Sequence, residues 1–310
     1  VPALAGRTFR IGTRGSPLAL AQTELALAAL RAARPGLSCQ VTVVRTRGDR
    51  DQSTPLSRMG GRGVFVAELE QALLRGEVDI AVHSLKDLPS QPADGLVIAA
   101  VPRRDDPRDC LVSRHGSTLD SLPPGAVVGT GSPRRAAQLR ALRPDLRVAD
   151  IRGNVDTRLR KVLQGEYDAA VLALAGLLRL GLAEETFQPL EPETMLPAPG
   201  QGAIALEVRE DDAEALALCR SADDPVAHAC VRAERAFEAR FGGGCSAVVA
   251  ALAVAEGDSL WLRGLVADAT GEAFFRGEAS GPLSQAEAVG RGLAEELLRQ
   301  AAGAIKARDV

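Results

Sequence analysis

The stretch FRIGTRGSPLALAQTELALAALRAARPGL, from Phe9 to Leu37, decides the fold because it recurs in shortened form as VVGTGSPRRAAQLRALRPDL, from Val127 to Leu146. Each copy reads as a short apolar strand, a Gly-Ser-Pro turn, an amphipathic helix and an Arg-Pro stop. Ser16 and Ser132 are good N-caps, and Pro17 and Pro133 stand at the first helical position, where the missing N–H is harmless. The pair is a repeated β-turn-α unit.

A second pair follows in the same order: LRGEVDIAVHSLKDL, Leu74 to Leu88, and LQGEYDAAVLALAGLL, Leu163 to Leu178. Each is a buried strand leaving a Gly-Glu turn, apolar enough for a sheet covered on both faces. The expectation is two similar α/β domains of periplasmic-binding-protein-like plan, facing one another across a cleft. The first copy is longer by Thr46 to Phe65, a glycine-rich, charged segment expected to form a mobile loop over that cleft. PLEPETMLPAPGQGAIALEV, from Pro189, suits a crossing back into the first domain.

After about residue 220 the pattern changes. A helix from Asp224 to Phe241, three alternating segments (Ala247 to Ala255, Leu260 to Ala267, Ala273 to Ala279) and a last helix from Ser284 to about Ala304 make a small α+β domain. The expected division is 1–102 with 203–220, then 103–202, then 221–310.

Composition narrows the partners. Of 310 residues, 46% are hydrophobic and only 3% aromatic, and the net charge is -3. That balance argues against nucleic acid or an anionic membrane recognised by bulk charge, and aromatic stacking platforms are scarce. No run approaches the roughly 18 apolar residues of a membrane helix, and VPALAGRTFR lacks the apolar core of a secretion signal, so a cytoplasmic protein is expected. The five cysteines, Cys39, Cys110, Cys219, Cys230 and Cys245, form no C-x-x-C pair. Their spread disfavours both a disulfide framework and a zinc site, and no metal is expected.

The repeat is an internal control on where chemistry lies. Lys86 aligns with Ala175 and Asp87 with Gly176, so a shared fold does not require that charged pair. A carboxylate at the C-terminal edge of such a sheet is where ligands usually bind. Arg134 and Arg135 open the second helix, where the dipole disfavours cations by some tenths of a kcal/mol. Such a placement suggests a bound anion, and their replacement is expected to change the stability of the empty protein by no more than about 1 kcal/mol. Arg14 is inserted in the first GTRGSP turn, Arg152 precedes a potential Asn154 N-cap, and Arg158 follows one turn later. Arginines at strand-to-helix turns suit bidentate carboxylate or phosphate clamps. Cys245 follows three glycines in FGGGCSA, a costly loop unless something must lie against its backbone. A small buried hydrophobe is the plain alternative for that thiol, and the one favoured for the other four cysteines.

Taken in order, GTRGSPLALAQ, GDRDQSTPLSRMGGRGVF, AVHSLKDLP, RRDDPRD, VGTGSPRRAAQL, IRGNVDTRL, PAPGQGAIALE and FGGGCSA resemble the porphobilinogen deaminase family over nearly the whole chain. The resemblance implies an enzyme of tetrapyrrole (haem) biosynthesis that deaminates four porphobilinogen molecules and joins them head to tail into the linear tetrapyrrole hydroxymethylbilane. It implies a dipyrromethane cofactor carried by Cys245 through a thioether, the cysteine being an anchor for the growing chain. By the same resemblance, Asp87 is the catalytic carboxylate, and Lys86, Asp87, Ser132, Arg134, Arg135 and Arg158 contact the cofactor. Arg14, Ser16, Arg152, Arg158, Arg179, Gln201 and Phe65 contact substrate, with Asp49 nearby. A monomer is expected. Two positions depart from the family pattern: Arg62 stands where many relatives carry Lys, and Val248 replaces the proline of a Cys-x-x-Pro pattern. A non-enzymatic small-anion binding or sensor protein is the competing reading, and a cysteine-dependent acyl transferase using His83, His115 or His228 is a third.

Overall fold

The computed structural model describes residues 7–44, 66–114, 116–184, 186–242, 248–268 and 270–302. In chain order the first elements are β1 (Thr8–Thr13), α1 (Pro17–Ala33), β2 (Ser38–Val43), α2 (Ala67–Leu74), β3 (Ile80–Ser84) and β4 (Leu96–Ala100). Next come β5 (Asp109–Ser113), β6 (Val127–Gly129), α3 (Pro133–Leu142), β7 (Arg147–Ala149), α4 (Val155–Leu163), β8 (Ala169–Ala173), α5 (Leu174–Arg179) and β9 (Gln188–Leu190). The chain ends with β10 (Ile204–Arg209), α6 (Ala213–Arg220), α7 (Pro225–Ala239), β11 (Val248–Glu256), β12 (Ser259–Ala267), β13 (Phe274–Pro282) and α8 (Ala286–Ala301).

Two compact units result. One holds the described residues up to Asp105 with Ala203–His228, the other Asp106–Gly202 with the described residues from Ala229 on. The first unit is built on a five-stranded sheet of order β2-β1-β3-β10-β4. Its β1 runs parallel to β2 and β3, while β10 runs antiparallel to both β3 and β4. Side chains alternate across a strand, so Ile80 and Val82 enter a core with Leu27 and Leu30 of α1 and Leu218 of α6. Ala81 enters a second core with Leu69 and Leu73 of α2. The sheet is thus covered on both faces.

In the second unit the sheet order is β7-β6-β8-β5-β9, with the same parallel and antiparallel relations. Strands β3 and β8 share one burial pattern, four buried positions and then a half-buried one. Each follows a glycine with positive φ, Gly76 at 66° and Gly165 at 82°, a backbone region open to glycine at little steric cost. Helices α1 and α3 stop at Ala33 and Leu142 because Arg34 and Arg143 each precede a proline, which disfavours helical backbone there.

The second unit also contains a separate three-stranded antiparallel meander, β11-β12-β13. Phe237 of α7 and Leu293 and Leu297 of α8 pack with Val249, Ala251 and Leu262 on one face. On the other face Val248, Ala250 and Leu252 meet Ala137 of α3 and Leu196. This is the small α+β region expected from the sequence. Val248, the departure from the family's proline, opens β11 and is 4% exposed. No helix among the described residues is long and apolar enough to cross a membrane.

Candidate active site

In the first unit the candidate residues lie at the C-terminal ends of β1 and β3. Strand β1 turns at Arg14 and Gly15 into α1, where Ser16 Oγ accepts the Ala19 N–H at 3.2 Å. The first turn of α1 holds no acidic side chain, so its N–H groups and dipole favour an anion. Strand β3 runs into a single 3₁₀ turn, Leu85–Asp87. Leu85 is buried and its N–H donates to Ala203 O at 3.1 Å. From α1, Gln22 Nε2 lies 2.8 Å from Ser84 Oγ. The turn is therefore held from two sides, leaving Lys86 and Asp87 half-buried at its outer edge.

In the second unit Ser132 caps α3, its Oγ accepting from Arg135 N at 3.5 Å. The two arginines do not reach outward. Arg134 and Arg135 are each 6% exposed, and Asp109, at the start of β5, is 0% exposed. Arg134 Nη1 stands 2.7 Å from Asp109 Oδ2 and Arg135 Nη2 2.8 Å from Oδ1. Arg134 also donates to Leu196 O at 2.6 Å and Arg135 to Val171 O at 2.9 Å. Gln201 Nε2 completes the cluster, 2.8 Å from Asp109 Oδ1. Burial pushes the Asp109 carboxyl up, but the Arg134 and Arg135 charges outweigh it and hold the group well below the usual carboxylate range.

This arrangement corrects one expectation. An anion for two cations at a helix start is supplied by the chain itself, so Arg134 and Arg135 have a structural partner in Asp109 and their replacement is expected to cost more than the helix dipole alone suggests.

Three more arginines stand in the second unit. Arg152 Nε lies 3.9 Å from Asp150 Oδ2. Arg158 Nε donates to Gly153 O at 2.8 Å, and Arg179 Nη2 donates to Gly202 O at 2.6 Å. Asn154 takes the N-cap position of α4 with extended backbone, but its side chain makes no capping hydrogen bond. Asp49, Arg62, Phe65, His115 and Cys245, with the long segment expected over the cleft, lie outside the described residues.

Sequence reasoning passed over buried carboxylates, Asp109, Glu207 and Glu234 among them. Asp109 was not readable from the repeat, because its register counterpart Ile204 lies on β10, and neither strand belongs to the repeated segments. Glu234 of α7, 0% exposed, accepts Gly200 N–H at 2.6 Å and Ala253 N–H at 2.8 Å. It ties the Pro197–Gln201 loop to β11, the strand that follows the glycine loop. Nothing local in the sequence marks it, because both partners are backbone groups distant along the chain.

The four described cysteines, Cys39, Cys110, Cys219 and Cys230, form no disulfide with one another. Burial pushes the Cys110 thiol up to about 12, and raises Cys219 and Cys39 as well. A thiol so placed is a poor nucleophile.

Residues 9–217 match the family model "porphobilinogen deaminase, dipyromethane cofactor binding domain", and residues 228–299 match "porphobilinogen deaminase, C-terminal domain". A porphobilinogen deaminase from Roseiflexus castenholzii is 54% identical, covering 94% of this chain and 96% of its own. Another, from Acidothermus cellulolyticus, is 51% identical, covering 97% and 91%. Among solved structures, a probable amino-acid ABC transporter extracellular-binding protein from Bacillus subtilis is 12% identical, with a TM-score of 0.41, covering 70% of this chain and 90% of that one.

Proposed function

The chain belongs to the porphobilinogen deaminase family, and from that premise we propose that Cys245 is the cofactor anchor and Asp87 the catalytic carboxylate of its hydroxymethylbilane synthase reaction. The enzyme is a transferase that deaminates porphobilinogen and joins four units head to tail on a dipyrromethane primer. The relatives reported above carry the enzyme's name, which leaves the small-anion binding reading without support.

The donor chemistry fits the primer. Each of its rings bears carboxylates and a pyrrole N–H, which call for cations, free helix N–H groups and one carboxylate. Lys86, Arg14, Arg152, Arg158 and Arg179 supply the cations, and the starts of α1 and α3 hold no acidic residue in their first turns. Ser16, Ser132, Gln201 and Phe65 are assigned to the same set by their place in the family motifs. Arg134 and Arg135 belong to it as well, but each already shares Asp109, so either could offer a ligand carboxylate only part of its donor capacity. When bound, the dipyrrole supplies the free α-position on which the chain grows.

In the reaction the bond between the porphobilinogen methylene and its protonated amino group breaks, and neutral ammonia leaves with the electron pair. Asp87 stabilises the cation left on the substrate, an electrostatic task for a charge placed beforehand by the turn. The observation that carries this reading is the repeat: the equivalent strand of the second sheet leads into the helix α5, where Ala175 and Gly176 stand in place of Lys86 and Asp87.

For Cys245 the support is chemical. Raised pKa values make the described thiols Cys39, Cys110 and Cys219 poor nucleophiles, and Cys230 is 5% exposed. Cys245→Ala should fold, carry no dipyrrole and make no tetrapyrrole. Intact mass measures it directly, and an alanine variant that still bore the adduct would refute the anchor. The reading includes a cytoplasmic monomer; described cysteines that form no disulfide with one another suit a reducing compartment, and sedimentation analysis tests the oligomeric state.

A further inference from the structure

Beneath the Lys86–Asp87 turn lies a buried polar pair that the reaction described above does not use. His83 of β3 is 5% exposed and Glu207 of β10 is 1% exposed. His83 Nε2 stands 3.0 Å from Glu207 Oε2, within ion-pair distance but without hydrogen-bond geometry, and neither atom has a hydrogen-bond partner among the described residues. Both side chains project to the α2 face, since Val82, Leu206 and Val208 enter the core on the α1 face and strands alternate. Glu70 of α2 also faces them: burial, then the Glu207 charge, push its carboxyl up, against the pull of His83.

Replacing a buried ionic pair by apolar groups of similar volume is often neutral or stabilising, so stability alone is a weak reason for this one. The second sheet provides the comparison. Glu207 pairs with Ala81 and Ala205 with His83, while Val112 pairs with Ala170 and Cys110 with Leu172. The counterparts of His83 and Glu207 are therefore Leu172 and Val112, both within one apolar cluster. The same strand pairing closes without a polar pair. The difference goes with the turn, because β3 leads into Lys86 and Asp87, whereas β8 leads into Ala175 and Gly176.

We infer that His83 and Glu207 are positioning residues that lock β3 to β10 and so fix the Lys86–Asp87 turn for ammonia release. The inference rests on the role proposed above for Asp87. Strand β10 and the residue before it then hold the turn twice, through Ala203 O on the Leu85 N–H and through Glu207 beside His83. A side-chain lock resists a change of tilt between the strands that the backbone ladder alone permits. Displacing a reacting geometry by about 1 Å costs on the order of a hundredfold in rate.

The test transplants the second sheet's solution, His83→Leu with Glu207→Val, into the full enzyme. The double variant should melt no lower than the parent, acquire the dipyrrole by intact mass, and keep its KM within about threefold while kcat falls between roughly tenfold and a hundredfold. Glu207→Gln, which keeps the shape and a polar atom beside the imidazole, should retain kcat within about threefold. A loaded double variant with the parent's kcat overturns the inference. So does one that fails to fold, since the pair would then be a requirement of the sheet, and so does a Glu207→Gln variant as slow as the double. Asp87→Asn run alongside separates the two readings: if it is active, the role of Asp87 fails; if it is inactive while the double variant is unimpaired, only the positioning role fails.

Discussion

Asp109→Asn should be among the most destabilising conservative changes in the second unit. The substitution keeps the side chain's shape and removes its charge, leaving two guanidinium groups, each 6% exposed, without their shared anion. Breaking a buried ion pair by removing one partner costs about 3–5 kcal/mol. Two features act in opposite directions. A single carboxylate serves both cations, at 2.7 and 2.8 Å, which raises the loss. Arg134 keeps Leu196 O and Arg135 keeps Val171 O, which lowers it. A loss of about 3 kcal/mol or more is expected, out of a total stability of about 5–15 kcal/mol for a typical protein.

The single tryptophan, Trp261, lies on β12 of the same unit and reports its unfolding. Urea titrations at pH 7 should compare parent and variant in the same state of cofactor loading, because a bound group stabilises the folded state on its own. The sign of the pH effect is fixed by geometry. The folded-state carboxyl is held below its unfolded value, so its contribution is present above about pH 4 and is lost as pH falls through the folded value. Parent and variant should therefore converge in acid. Arg135→Met should cost less in the Asn background than in the parent, by at least about 1 kcal/mol of coupling. A variant within about 1 kcal/mol of the parent at pH 7 would show that the cluster tolerates unpaired buried cations, and the structural role given to Arg134 and Arg135 would fall.

On the role proposed for Asp87, a carboxylate set at about 4 Å from a developing cation contributes on the order of 4 kcal/mol at an effective dielectric near 20, so Asp87→Asn should slow single-turnover ammonia release roughly a thousandfold. A variant within about tenfold of the parent would assign that stabilisation elsewhere. Asp79 is pushed up by burial, but hydrogen bonds from Arg10 and Arg7 outweigh it and hold its carboxyl at about 2. Its stabilisation is present above about pH 4 and lost towards about 2, so Asp79→Asn should flatten that limb of a denaturation-versus-pH curve. Gly290→Ala should lower the melting temperature, because a Cβ there would lie 2.2 Å from Ala233 O, where α8 crosses α7. An overpacking cost of about 1–3 kcal/mol is expected, and an unchanged melt would mean the helices separate freely.

How much was legible depended on whether the signal was local. The Ser-Pro helix starts, the Arg-Pro stops and the strands leaving Gly-Glu turns were readable because backbone preferences act within a few residues, and the structure places α1 and α3 within those limits. The return of β10 to the first sheet was readable from a Pro/Gly-rich segment followed by an apolar run. Arg134 and Arg135 were conspicuous for their place against the helix dipole, yet their partner was not, since Asp109 lies on a strand whose pairing no local rule provides. Glu234 was silent for a related reason: its two N–H partners, Gly200 and Ala253, come together only in the folded unit.

The repeat goes further than architecture, because the two sheets solve one packing problem with different chemistry. On the α1 or α3 face, Ile204 of the first sheet corresponds to Asp109 of the second. On the α2 or α4 face, His83 and Glu207 of the first correspond to Leu172 and Val112 of the second. At each of these positions one copy shows that an apolar side chain closes the sheet, so the polar side chain in the other copy answers a demand beyond closure. In the second sheet that demand is local, since Asp109 is the anion shared by two buried arginines and holds Gln201 at the start of the return to β10. In the first sheet the described groups that interact with His83 are Glu207 and Glu70, two carboxyl groups beside one imidazole, and neither gives it the role of a shared anion between cations. Charge balance therefore accounts for Asp109 and does not account for His83 and Glu207, and what remains next to that pair is the turn that carries Lys86 and Asp87.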